Sequence, residues 1–318
     1  MESYPLKYKL KVLVRHIANN TLGRLQRPSS KRKPNIMVFS TRRGGSTWLI
    51  ELLCNEQNIK RAVEIFDVTL NHNPYKNDLP QDKDGFFSGL NPEEEARMFK
   101  YFRDIEQGKK VYNTQWKFWK KPFWYSYDRI IFKIFYAKNY IDQFQDHNNC
   151  QIIFQMRNPI PTAMSISKKG WPSAAKAFFE DPSIKQRLTP EQIEVSELIL
   201  KEGSLLENHV LGWFMENLIP MTLAPERDWL VLRYEDMVVN PEATVETLTS
   251  TLDLSCSEAA LDNFKKPSYN ALGSQEKVAK SSPEQLCNGW KKHLNTEENP
   301  HLKAIFDAFP NPYYKWEL

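Results

Sequence analysis

Strand-length apolar runs alternate with helical patterns along most of this chain, and few architectures accept that alternation. Residues 36–40 form a short apolar run that meets a Gly pair, and 46–55 then read as a helix. Further strand-length runs lie at 61–66, 130–135, 151–155 and 229–232. Helical patterns fall at 91–107, 162–168, 190–219 and 241–252, with Gly203 as a dividing point in the third. Asn91, Pro92 and the acids after them make a strong helix start. Nearly continuous apolar strands separated by helices predict a parallel sheet covered on both faces. The chain has 318 residues, 41% of them hydrophobic, which is enough for one large core.

The charge is unevenly distributed. Residues 1–34 hold nine cations (Lys7, Lys9, Lys11, Arg15, Arg24, Arg27, Lys31, Arg32, Lys33) against Glu2, a net +8. The whole chain is +4, so residues 35–318 are −4. The basic character is therefore a local arm and not a nucleic-acid surface. Leu6, Leu10, Leu13, Val14, Ile17 and Leu22 recur at helical spacing over 6–25, and a polar linker follows at 26–35. The division expected is an arm and linker at 1–34 and a single domain at 35–318. Either a membrane surface or protein, its own domain or a homodimer partner, would cover the stripe.

Four cysteines, Cys54, Cys150, Cys256 and Cys287, form neither a CxxC pair nor a zinc-like spacing. The six histidines show no metal spacing either. With no signal-like apolar segment and no membrane-spanning run, a cytoplasmic, at most membrane-peripheral, protein is the expectation.

The first apolar run ends in Thr41-Arg42-Arg43-Gly44-Gly45-Ser46-Thr47-Trp48. Glycines allow a tight turn that exposes backbone N–H groups, and the helix that follows adds unpaired donors and a positive dipole end. Arg43 adds a charge that can fork onto phosphate or sulfonate oxygens, and Ser46 and Thr47 can cap the helix or donate to a ligand. No Lys follows the second Gly, so this is not a Walker A loop, and the run 151–155 ends without the Asp of a Walker B strand.

This loop resembles the 5′-phosphosulfate-binding loop of sulfotransferases that use 3′-phosphoadenosine-5′-phosphosulfate (PAPS), through Arg43, Gly45, Ser46, Thr47 and Trp48. Arg157 at a strand end, with Ser165 eight residues later, resembles the family's grip on the 3′-phosphate. Tyr234-Glu235-Asp236 after an apolar run resembles the segment whose Tyr lies near the adenine. The pattern is most similar to bacterial carbohydrate-type and tyrosylprotein-type enzymes. The resemblance implies a P-loop-like three-layer α/β fold and metal-free, in-line sulfonyl transfer to an acceptor hydroxyl, leaving adenosine 3′,5′-bisphosphate (PAP).

Cofactor contacts are then expected from Arg42, Arg43, Gly44, Gly45, Ser46, Thr47, Trp48, Arg157, Ser165, Tyr234 and Lys280. Lys133, polar within an apolar run, matches the family's catalytic Lys. Aryl and steroid enzymes carry a base His two residues later, where this chain has Phe135. Glu64, 21 residues after Arg43, matches the carboxylate base of the tyrosylprotein type, with Asp67 and His72 behind it. Ser274 matches a residue that stabilises the transition state in those enzymes. Aromatic residues and lysines crowd 116–127, which suits a sugar or glycolipid acceptor. The rival readings are a P-loop-type kinase or NTPase and a non-catalytic PAP-binding module.

Overall fold

The computed structural model describes residues 6–54, 56–67, 73–80, 86–87, 89–112, 123–147, 149–254 and 281–317. Its centre is a five-stranded, all-parallel sheet. Besides the two-residue pair β1 (Arg27–Pro28) and β4 (Ser126–Tyr127), the strands are β2 (Asn35–Ser40), β3 (Ile59–Val63), β5 (Arg129–Ile134), β6 (Cys150–Met156) and β7 (Leu230–Arg233). Their order across the sheet is β3–β5–β2–β6–β7. Five runs read from the sequence are thus the five strands of a P-loop-like, three-layer fold.

Alternation along the strands builds two cores. Ile36, Val38, Ile131, Ile153 and Leu232 point to one face, where α2 (Ser46–Leu53) and the helix Pro241–Leu252 cover them. Met37, Phe39, Ile130, Phe132, Ile134, Ile152, Phe154 and Met156 point to the other. There α3 (Pro92–Glu106), α4 (Ile141–His147), α5 (Pro159–Ser167) and the helix Leu205–Leu223 pack against them. Burial on both faces is why the strands read as continuous apolar runs. Aromatic rings fill the second core: Phe102 lies 4.8 Å from Phe132, and Phe99 4.8 Å from Phe144. Each such ring contributes roughly 1.5–3 kcal/mol on burial.

Local signals explain most element ends. Asn91 and Glu94 form a capping box at the start of α3. Helix α5 begins three residues before 162, because Asn158 caps it and Pro159 occupies its first position. The pattern over 190–219 is two helices, Pro190–Glu202 and Leu205–Leu223, with Gly203 between them and a Ser204/Glu207 capping box on the second. The run 61–66 is strand only to Val63, since Glu64 takes a left-handed backbone with φ 55° and ends the ladder. Strand β5 begins one residue earlier than its apolar run because Arg129 is buried, donating to the Leu252 carbonyl at 2.6 Å.

The chain runs from β2 to the edge at β3, returns to β5, and then crosses to β6 on the far side of β2. This reversal opens a crevice beyond the carboxyl ends of β2 and β6, where ligands of open α/β sheets bind.

Candidate active site

The loop leaving β2 is pinned from both sides of that crevice. Gln155 in β6 donates through Nε2 to the Gly44 carbonyl and accepts from Ser40 Oγ at 2.9 Å. Thr41 Oγ1 accepts from Lys138 Nζ at 2.7 Å. Lys138 also reaches Glu216 Oε1 at 2.6 Å and Asn217 Oδ1 at 2.9 Å. All of these side chains are buried. Burial pushes the Lys138 ammonium below its ordinary value, and Glu216 opposes that shift. Sequence reasoning missed Gln155, Lys138 and Glu216 in this role, because nothing local marks a polar residue that anchors a distant loop.

Within the loop, Arg43 has φ 68° and Gly45 φ 95°. Such conformations in a non-Gly residue persist only where the surroundings impose them. Gly45 caps α2 from a left-handed backbone, with no side-chain cap bond. Of the two roles open to Ser46 and Thr47, capping the helix or donating to a ligand, the cap position itself falls to Gly45; Ser46 is buried, and Thr47 Oγ1 accepts from Lys133 Nζ at 2.9 Å. A helix leaves the amides of its first turn without intrahelical partners; in α2 that of Trp48 is already taken, donating to the Gly45 carbonyl at 3.0 Å.

Arg43 and Ser165 meet, Nε donating to Oγ at 3.0 Å. Arg157, the first residue after β6, donates through Nη1 to the Arg43 carbonyl at 3.4 Å. Its guanidinium lies 4.4 Å from the centroid of the Tyr234 ring, which Trp48 meets edge-on at 6.0 Å. The buried Arg157 Nε has no hydrogen-bond acceptor among the described residues. Burial, and then the charge of Arg157, hold Arg43 below its ordinary value. The repulsion of two guanidinium groups beside a donor unmet among the described residues is one that a multiply charged anion would relieve. Glu235, quoted in the motif with Tyr234 but with no role read for it, accepts from the Asn158 amide at 2.9 Å and from the Tyr314 hydroxyl at 2.8 Å. It ties the start of α5 to the C-terminal segment.

A second cluster adjoins the loop. Lys133 Nζ donates to Glu64 Oε1 at 3.0 Å as well as to Thr47, and lies 4.4 Å from the centroid of the Phe135 ring. Glu64 N donates to the Lys133 carbonyl at 2.8 Å. The Lys133 side chain is only 3% exposed, whereas that of Glu64 is 25% exposed. Burial pushes the Lys133 ammonium down, and the Glu64 carboxylate opposes it. Glu64 is therefore a carboxylate open to a ligand on one side and fixed by an ammonium on the other.

Arg42 points elsewhere than its neighbour. Its guanidinium lies 5.5 Å from the Phe86 ring and 5.1 Å from the Trp171 ring, and Trp171 is 37% exposed. Burial pushes the buried Tyr136 hydroxyl up; Asp67 and Glu64 add to this and Arg42 opposes it. Arg42 and the Glu64 end of the site are thus within electrostatic reach of one side chain. Ser274, Lys280, His72 and the 116–122 part of the aromatic segment lie outside the described residues. Of the remainder of that segment, Tyr127 is core, with Lys60 Nζ 5.1 Å from its ring centroid.

Among the described residues, no helix is long and apolar enough to cross a membrane. No group of three or more His, Cys, Asp or Glu there could hold a metal ion.

Comparison with known proteins adds the family. The crystal structure of mouse sulfotransferase SULT7A1 complexed with PAP is 16% identical, covering 91% of this chain and 88% of that one, with a TM-score of 0.44. The sulfotransferase domain of the Synechococcus PCC 7002 olefin synthase is 14% identical over 89% of this chain and 98% of that one, TM-score 0.45. The sulfotransferase domain from the curacin biosynthetic pathway is 16% identical over 90% and 95%, TM-score 0.41. No curated protein sequence matches. A model of the sulfotransferase domain matches residues 33–315, nearly the whole chain, and the chain belongs to that family.

Proposed function

We propose that this sulfotransferase takes its sulfonyl group from PAPS and transfers it to a carbohydrate or glycolipid hydroxyl, with Glu64 as general base. The observation that carries the donor is the buried Arg157 Nε, unmet among the described residues, beside the Arg43 guanidinium. Such a site favours a nucleotide with an extra phosphate dianion, and the ring of Tyr234 supplies an aromatic face next to it. PAPS, when bound, supplies the sulfonyl group and a phosphate leaving group. Arg43 and the first amides of α2 offer positive charge to an anion in the loop, the means by which preorganised donors lower such barriers. Lys133 links the two halves, since one ammonium touches both Thr47 at the start of α2 and Glu64.

Glu64 is the group suited to accept the acceptor's hydroxyl proton at a carboxylate oxygen. Its Oε1 is held by Lys133, and its side chain is partly open. Phe135 occupies the alternative position and has no proton acceptor. On the acceptor side, the exposed face of Trp171 suits a sugar ring, and Arg42 suits an anionic substituent.

The test is transfer of labelled sulfonyl from PAPS to a panel of carbohydrate and glycolipid acceptors in the presence of a chelator. Glu64→Gln keeps the shape and removes the basicity. Its kcat should fall by roughly 10²–10⁴-fold, while PAP binding stays unchanged. Near-normal turnover of the Gln variant would move the base elsewhere, with Asp67 next.

A further inference from the structure

Helix α1 (Leu6–Leu25) is joined to the domain only near its end, among the described contacts. Lys60 Nζ donates to the Gly23 carbonyl at 3.3 Å, and Gln26 Nε2 to the Trp124 carbonyl at 2.9 Å. Gly23 and Gln26 are buried. Towards its start the helix presents Leu6, Leu10, Leu13, Val14 and Ile17, exposed by 82%, 59%, 54%, 47% and 53%. At about 100° per residue these five positions fall on one arc of roughly 100°. In the helical register Lys7 and Lys9 follow on either edge of that arc, and Arg24, Arg27, Lys31 and Arg32 are exposed further on. The arm as a whole is +8.

Leu25 apart, the other exposed large apolar side chains among the described residues are Tyr125, Trp171, Leu198, Leu205 and Val239. They come from separate parts of the chain. Pairing two such helices stripe to stripe would bring two +8 arms together. A narrow apolar arc edged by cations fits a surface that is apolar within and negative outside.

We infer that α1 docks in the plane of an anionic lipid surface, its Leu6–Leu10–Leu13–Val14–Ile17 stripe at the acyl boundary and its cations among the headgroups. Bound this way, the helix would hold the domain next to acceptors in the same layer. The inference rests on the arm alone, so it stands or falls separately from the PAPS reading.

The experiment is flotation of the full chain with vesicles of phosphatidylcholine alone and of phosphatidylcholine mixed with phosphatidylserine. It is run at low and high salt beside the triple variant Leu10→Asn, Leu13→Asn, Ile17→Asn. Light scattering gives the mass of both proteins in solution, and their thermal midpoints and PAP binding check the fold. The wild type should float with the anionic vesicles, at least about ten-fold more weakly with neutral ones or in high salt. The triple variant should lose at least about a hundred-fold in partitioning while keeping its fold and mass. Equal partitioning of wild type and variant, or none of the wild type onto anionic vesicles, would overturn the inference. A dimer that the triple variant dissolves would also overturn it, because a second copy would then cover the stripe.

Discussion

A methyl group at Gly45 tests whether the loop, Arg157 and Tyr234 are one packed unit. In Gly45→Ala the new Cβ would lie 2.6 Å from Tyr234 Cδ2 and 3.4 Å from Gln155 Nε2, on a backbone with φ 95°. A left-handed conformation costs an L-residue about 1–2 kcal/mol. Forcing a methyl into a filled site costs about 1–3 kcal/mol. The Tyr234 ring cannot swing aside freely, because the Arg157 guanidinium lies on its face and Trp48 meets its edge. The variant should therefore lose about 2–5 kcal/mol of stability in urea unfolding at an unchanged slope. Its PAP affinity by calorimetry should fall about ten-fold or more, since Arg157 has to move with the ring. Tyr234→Leu removes the obstacle, so the double variant should lose less than the sum of the singles by about 1 kcal/mol or more. A wild-type urea midpoint for Gly45→Ala, or strict additivity in the double variant, would refute the contact.

Three other perturbations follow from the same geometry. Lys138→Met leaves Glu216 buried without its cation and should cost roughly 3–5 kcal/mol in urea, most of it recovered by adding Glu216→Leu; a loss below about 1 kcal/mol would contradict the pairing. Lys60 is buried, which lowers its pKa from 10.5 to about 8, with Arg27 adding to the effect. The unfolded chain keeps that proton up to a higher pH than the folded one, so wild-type stability should rise between pH 8 and 10.5, by about 3 kcal/mol at most. Lys60→Met should remove that rise, which urea midpoints of both proteins across the range would check. Arg157→Ala and Ser165→Ala should each weaken PAP binding roughly 10–150-fold with far less effect on AMP, as calorimetry with both nucleotides would record.

What could be read in advance follows a physical divide. Strands buried on both faces write themselves as apolar runs, and the Gly44-Gly45 pair and Asn91 mark helix starts, so the sheet and its sequence of elements are readable, whereas the start at Pro159 is hidden by a pattern that becomes helical only from 162. The candidates Arg157 and Tyr234 are the first residues after β6 and β7, and Arg43 lies three residues after β2, so the sequence places them at strand ends. The apolar pattern of 61–66 puts Glu64 inside a strand, because its left-handed backbone leaves no trace in that pattern. Arg42 adjoins Arg43 in sequence, and nothing in that adjacency marks the Phe86 and Trp171 rings against which its guanidinium lies. Gln155, Lys138, Glu216 and Glu235 act across more than 70 residues of sequence, and pairing at that separation is fixed by topology rather than by any local signal.

Selection of a nucleotide by its 3′-phosphate can be read from a thermal shift of the wild-type protein. Adenosine 3′,5′-bisphosphate, AMP and ATP are compared at equal concentration, each with and without chelator. At 100 times its Kd the bisphosphate should stabilise the fold by about 2.7 kcal/mol, with or without chelator, and AMP and ATP should shift the midpoint far less. An equal shift with AMP, or a shift seen only with ATP and magnesium, would contradict that selection.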